Sequence, residues 1–295
     1  VYLARQPVLA CLTLVVATLW LLAARAADDH LDRGLLFAVG SDEASPCYLF
    51  GTIHSADGRV LALPPEVAAA FDSSETFVLE TIPDAQAIIH AMVTMVYTDG
   101  RTLASVVGEE LYAETVKAMA ALGMAEEAFK DFKPWAVVTL LSVPPGGDEE
   151  FLDLYLYRSA VAQGKEVFGL ESIDEQLEVF EELTTDEQVS LLRETLATRA
   201  DLPEVFERLV LAYLARDLSE LLRLSDEYLA GGDAALAERF HTAAIEVRNR
   251  RMAERMQPYL EAGGCFVAVG ALHLPGKGGV LERLKGAGHS LRRVY

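Results

Sequence analysis

The sequence predicts an α/β fold, in which a mixed, largely parallel central sheet is assembled from two related halves and carries a large helical insertion. Three observations lead there. Apolar runs of strand length at residues 35–39, 47–51, 76–79, 167–170 and 265–269 are separated by stretches of helical period, the alternation from which layered α/β folds are built. Between residues 47 and 79 the order is strand, short helix, strand, which closes as a right-handed crossover with parallel strands. Finally there is an internal echo: residues 48–54 and 267–273 each read as an apolar strand, a Gly, two further residues and a His.

Taken in order, the chain opens on 26 residues without Asp or Glu. Arg5, an apolar run from Val8 to Leu22 and the triplet Ala24, Arg25, Ala26 form the three parts of an export signal, with cleavage after Ala26. An uncleaved membrane anchor is the alternative, because the run approaches the ~17 residues a span needs. Residues 27–295 then form one domain. Leu35 to Val39 and Cys47 to Gly51 read as a strand pair around a polar turn at residues 40–43, and His54 follows the second strand. Pro64 and Pro65 suit a helix start, where the first N–H groups have no helical partner. The short helix at 67–71 leads to the strand at 76–79, closed by Glu80. A crossover ends both its strands on one sheet edge, so His54 and Glu80 should face one crevice. Helical period fills about 84–164, broken by Val-Pro-Pro-Gly-Gly at residues 143–147, and about 173–262, with a turn at 231–233; two helical cap regions over the sheet are expected. Between them the strand at 167–170 ends in Glu171. The strand at 265–269 reaches Gly270 and His273, a Gly-rich turn at 275–279 opens a helix at 280–284, and residues 291–295 supply a last strand.

Of 295 residues, 45 are Asp or Glu and 25 are Lys or Arg, giving a formal charge of -20, while 52% are hydrophobic. The apolar share excludes a disordered polyanion. The acidity disfavours phosphate backbones and anionic headgroups by charge repulsion, so neither nucleic-acid binding nor electrostatic membrane docking is expected. Loss of the signal would remove Arg5 and Arg25 and leave the chain more acidic still. No second apolar run approaches membrane length, so no stable membrane insertion is expected after cleavage; composition leaves the oligomeric state open. Cys47 precedes His54 by seven residues and Cys265 precedes His273 by eight. If their strands are neighbours, an oxidising compartment would allow the two to pair.

G-x-x-H is short enough to recur by chance, and a third copy, Gly286 to His289, falls in a polar turn after a helix and reads as structural. The other two differ in where they stand. His54 and His273 lie just past the carboxyl ends of buried strands, where open α/β sheets seat their ligands, and the Gly permits a close turn there. Glu80 and Glu171 end apolar strands, so each carboxylate is carried to an interior edge, where it needs a metal, a proton or a cationic partner. Two imidazoles with one or two carboxylates make a mixed N/O donor set suited to Mn, Co or Zn. Such an ion acidifies bound water and polarises a carbonyl, which is hydrolase chemistry. Arg248, in the cationic stretch 247–251, can orient a site or substrate carboxylate with its fork of donors, or else belong to a solvated helix face. His90 and His241 fall in helical stretches and read as structural or surface residues. The Gly-rich turn departs from G-x-G-x-x-G through Leu281, and there is no Walker A, H-E-x-x-H, C-x-x-C or G-x-S-x-G sequence. Nucleotide-binding, zincin, thioredoxin and serine-hydrolase readings lose their support accordingly.

The two His blocks, together with Leu63-Pro64-Pro65, Val78-Leu79-Glu80, Lys133-Pro134-Trp135, Gly164-Lys165, Gly169-Leu170-Glu171, Glu175-Gln176 and Arg248-Asn249-Arg250, resemble the TraB/PrgY/GumN family, to which the Tiki Wnt-inactivating metalloproteases are similar. One departure is Ala271-Leu272, where the family often has Ala-Gly before the His. The resemblance implies a mixed-sheet α/β fold akin to the erythromycin-esterase and ChaN-like folds and, for Tiki-like members, peptide cleavage dependent on Mn or Co. Carried over residue by residue, it implies His54, His273 and Glu80 as the metal-binding set, with Glu171 and Arg248 in support.

The expectation is therefore an exported, periplasmic or secreted, metal-dependent hydrolase with a peptide or protein substrate. His54, His273 and Glu80 would bind Mn, Co or Zn, and Glu80, Glu171 and Arg248 would serve catalysis, one of the two acids as general base. Two alternatives stand beside it: a non-catalytic protein that holds a metal, haem or peptide in the same cleft, and a metal-free esterase-like hydrolase.

Overall fold

The computed structural model describes residues 31–40, 45–143, 150–229 and 233–295. The expected signal at 1–26 lies outside these residues, as do most of the turn at 40–43, the Pro-Gly centre of the break at 143–147 and Gly231 and Gly232 of the later turn. Among the described residues there are six strands: β1 (Leu36–Val39), β2 (Cys47–Thr52), β3 (Thr76–Leu79), β4 (Glu166–Gly169), β5 (Cys265–Gly270) and β6 (Leu291–Arg293). They form one sheet in the order β4-β3-β5-β2-β1-β6.

β5 sits in the middle because its run Cys265, Phe266, Val267, Ala268, Val269 is apolar on both faces and buried throughout, as a parallel strand covered on both sides must be. It pairs in parallel with β2 and with β3, and β3 pairs in parallel with β4. The β1–β2 and β1–β6 pairings are antiparallel, so the sheet is mixed and largely parallel, as expected from the sequence. The crossover from β2 to β3 is also parallel, but β5 lies between the two strands it joins. β4, despite its apolar run, is the sheet's edge, and Phe168 on it is exposed.

The two His blocks lie side by side. Tyr48 is opposite Phe266 and Thr52 opposite Gly270, so the echo is offset by one residue and Gly51 faces Val269 instead of Gly270. The same register sets Cys47 beside Cys265. Between β2 and β3 the Pro65–Ser73 helix begins on Pro65, as expected, and turns Phe71 onto the sheet, its ring centroid 5.6 Å from Phe77 and 5.3 Å from Phe266. A second apolar cluster, with Leu103, Met119, Phe129, Val137, Leu141 and Leu192, is built within the helical regions alone. Trp135 beside it stacks on Phe180 and gives its indole N–H to Glu181, which satisfies the one polar group of a fully buried side chain. No helix among the described residues is long and apolar enough to cross a membrane.

Candidate functional site at the carboxyl ends of three parallel strands

β3, β5 and β2 run in one direction and end at a cavity of about 1200 Å³ whose lining includes Thr52, His54, Glu80, Arg248, Gly270 and His273. Sequence reasoning expected His54 and Glu80 on one crevice, and the strand ends bring both there with His273. Glu171 does not reach this lining. Its backbone N–H donates to the Glu80 carbonyl at 2.7 Å, but its side chain is 0% exposed.

Glu80 is held on every side. Its Oε1 accepts the Gly270 N–H at 2.7 Å, and its Oε2 accepts from Arg248 Nη2 at 2.6 Å and from Gln176 Nε2 at 3.3 Å. The glycine of the second motif now has its physical reason. Its φ is −53°, so no left-handed turn is involved; a Cβ at Gly270 would instead meet Glu80 Oε1 at 3.3 Å. Gly51 works likewise, since a Cβ there would lie 2.7 Å from Leu274 Cδ1 and 3.1 Å from Ala271 Cα. Both glycines are close-approach positions. Burial pushes the Glu80 carboxyl up, but the charges of His273, Arg248 and His54 and the Gly270 N–H outweigh it and hold the group at about 2. It is ionised at neutral pH.

His273 ends a short 3₁₀ turn, Ala271–His273, and is buried. Burial brings its imidazole down to about 4, against the opposing pull of Glu80, so the ring is neutral at pH 7. Asn249 settles which nitrogen keeps the proton. Its Nδ2 donates to the Gly278 carbonyl at 3.2 Å, which turns its Oδ1 toward His273 Nδ1 at 2.7 Å. Oδ1 can only accept, so Nδ1 carries the hydrogen and Nε2 keeps its lone pair. That nitrogen stands 3.7 Å from Glu80 Oε1.

His54, by contrast, is open to the cavity, with 71% of its side chain exposed. Its Nδ1 pairs with Asp153 Oδ2 at 2.9 Å, and Asp153 is steadied through Oδ1 by the Thr52 hydroxyl at 2.5 Å. The Asp153 carboxylate raises the imidazole to about 9. Both motif histidines are thus engaged through Nδ1; His273 Nε2 keeps its lone pair, whereas His54 is protonated at neutral pH and its Nε2 would take up a metal only by releasing that proton.

Behind Glu80 the Arg248–Arg255 helix presents three arginines at i, i+3 and i+7, one face of a helix. Arg248 Nε donates to Glu171 Oε2 at 2.8 Å, and Arg251 Nη1 to Glu171 Oε1 at 3.1 Å. Arg255 takes Glu175 with two bonds of 2.6 and 2.8 Å. Of the two readings of Arg248, orientation of a site carboxylate is the one its contacts match. A π-helical stretch, Thr242–Val247, leads directly into it, a local insertion that re-aims the residues that follow.

Asp153, Asn249, Arg251 and Thr52 belong to the site without having been singled out for it. Asn249 was visible beside Arg248 in the R-N-R string; Asp153 occupies the first turn of the Leu152–Ala162 helix, where an acid is unremarkable. The other histidines lie elsewhere. His90 pairs with Asp174 at the surface, and His289 Nε2 meets Gln257 Oε1 at 2.7 Å, a structural use in keeping with its place in a turn.

In kind, two imidazole nitrogens and an ionised carboxylate match the donors of a Mn, Co or Zn site. No group of three or more His, Cys, Asp or Glu side chains among the described residues is disposed to hold a metal ion as it stands. Compared with known proteins, residues 35–293 match the model of the TraB/PrgY/gumN family. No curated protein and no solved structure was found to match the chain.

Proposed function

Because the chain belongs to the TraB/PrgY/gumN family, we propose that it is an exported hydrolase that cleaves peptide bonds with a bound divalent ion at the edge where β2, β3 and β5 end. The observation that carries this reading is the common wiring of the two motif histidines, each engaged through Nδ1 beside the ionised Glu80. His54, His273 and Glu80 would hold the ion, which when bound supplies an acidified water and a polarised carbonyl.

The chain's own groups do the rest. Arg248 aims Glu80 and keeps it ionised, while Glu171, itself held by Arg251, fixes Arg248; Glu171 acts here as a positioning residue. With its carboxyl held at about 2, Glu80 is better suited to bearing charge than to carrying a proton at neutral pH. Asp153 and Asn249 orient the two imidazoles.

Equilibrium dialysis against Mn, Co and Zn should find stoichiometric uptake that falls sharply in His54→Ala and His273→Ala. A peptide-library digest with added ion should give products with the wild type and none with Glu80→Gln. Ion binding that is the same in both His variants as in wild type removes the reading. A second reading rests on the donor geometry: among the described residues no group of three or more His, Cys, Asp or Glu side chains is disposed to hold an ion. Full cleavage in EDTA would assign a metal-free hydrolase, and ligand uptake with no products a non-catalytic binder.

A further inference from the structure

Beside its polar groups the cavity lining has an apolar arm drawn from the helical regions: Phe151, Phe206, Leu209, Val210, Leu221 and Ile245. This apolar arm is continuous with the reacting centre, since the Phe151 ring centroid lies 6.5 Å from that of His54. Besides Glu80, two further acids line the cavity, Asp57 and Glu207, but both are bound to Arg59, at 2.6 and 2.8 Å, so their charge is already partly compensated. A charged side chain entering the arm would give up water without gaining a partner, while a bulky apolar one would bury its surface against aromatic and aliphatic neighbours. We propose that the arm is a specificity subsite that takes a large apolar side chain, of Leu or Phe size, from the peptide residue adjoining the scissile bond, and that it rejects an acidic one. This rests on the peptidase reading above.

Binding, measured apart from turnover, tests it. Short blocked peptides differing at one central residue (Ala, Leu, Phe, Lys, Glu) are titrated calorimetrically into the full protein with EDTA present. Leu and Phe peptides should bind at least about tenfold more tightly than Ala, with Glu weakest. Phe206→Ala and Ile245→Ala, checked by thermal melts for retained folding, should flatten the series. No binding by any peptide, a flat wild-type series, or a preference that survives both substitutions overturns the proposal. Selective binding by a protein that gives no products with added ion would defeat the hydrolase reading and leave the subsite standing; unselective cleavage would do the reverse.

Independently of the cavity, Cys47 and Cys265 meet at the amino ends of β2 and β5, both buried, with their Sγ atoms 2.7 Å apart. Neighbouring strands hold opposed Cα atoms about 4.8 Å apart, within the roughly 4.4–6.8 Å that a disulfide spans. We infer that this pair is an oxidation site, closed during folding by exchange with a small-molecule or oxidoreductase disulfide. The Cys47 thiolate attacks the donor disulfide and expels one thiolate; the Cys265 thiolate then attacks the Cys47 sulfur of the mixed disulfide and expels the second. The two protein protons leave on the two released thiols, so two protein thiols are oxidised and one donor disulfide is reduced.

Refolding the full chain in oxidised and reduced glutathione, followed by non-reducing peptide mapping, should find the Cys47 and Cys265 peptides joined. Dithiothreitol should then lower Tm by about 10 °C, a shift absent from Cys47→Ala and Cys265→Ala. Both cysteines free after oxidative refolding, or either one joined to Cys11 instead, overturns the assignment.

Discussion

Asn249 determines which face of an imidazole the cavity sees. Truncating it to Ala would free the His273 ring to adopt the other tautomer and orientation, and should weaken Mn or Zn binding about tenfold, as loss of an outer-shell partner does. Asn249→Asp, which keeps the acceptor, should recover most of the affinity; calorimetric titration of the two variants checks both outcomes. His54, His273 and Glu80 were legible in the sequence because each directly follows an apolar run, so strand periodicity alone carries them to one edge. Asn249 and Asp153 were not. Both come from distant helices, and a polar residue on a helix has an ordinary local explanation that no spacing rule overrides. The motif glycines were legible as positions but not as physics, since what they avoid is contact with Glu80 and with the Ala271–His273 turn, partners that only the assembled sheet brings near.

Among the elements, the Arg248–Arg255 helix is the one whose role the sequence hid most. A run of three cationic residues in four positions reads as a solvated face, whereas Arg248 and Arg251 close on a carboxylate with no exposed side-chain surface. Buried ion pairs between elements leave no periodic trace, because neither partner is near the other in sequence. Removing one member is costly, since the remaining charges stay buried: Glu171→Gln should lose about 3–5 kcal/mol in urea unfolding, far more than an exposed pair would. Glu175, on the Ile173–Glu181 helix and paired with Arg255 of the Arg248–Arg255 helix, has a distinct pH signature. Its hydrogen bonds from Arg255, then the Ser172 N–H, hold it at about 2 against burial, from an ordinary 4.5. Its folded pKa is depressed, so its contribution is fully present above the unfolded value and is lost as pH falls through about 2. Glu175→Gln should therefore flatten the acid limb of the stability profile in that interval and cost about 1 kcal/mol at neutral pH; denaturant melts across the acid range measure it.

At the scale of the whole molecule, the separation of the helical cluster around Phe129 and Val137 from the sheet core predicts two tiers of protection. Amides of the Pro134–Leu141 and Thr185–Thr198 helices should exchange together and sooner than those of β5, and equal protection in native-state hydrogen exchange would contradict this. The sheet's composition and the crossover's direction could be read in advance, whereas the insertion of β5 between the strands of that crossover could not, because adjacency in a sheet is decided by pairings remote in sequence.

That insertion gives the protein a timetable. The central strand is residues 265–270 of 295, so a nascent chain holds β1 with β2 and β3 with β4 as two half-sheets whose facing edges have no partner, the kind of exposed edge that invites mispairing and chaperone attention. His54 and Glu80 are translated early, but the gap between them closes only when the strand that carries His273 arrives. The cleft is thus completed only once the fifth of the six described strands has been made.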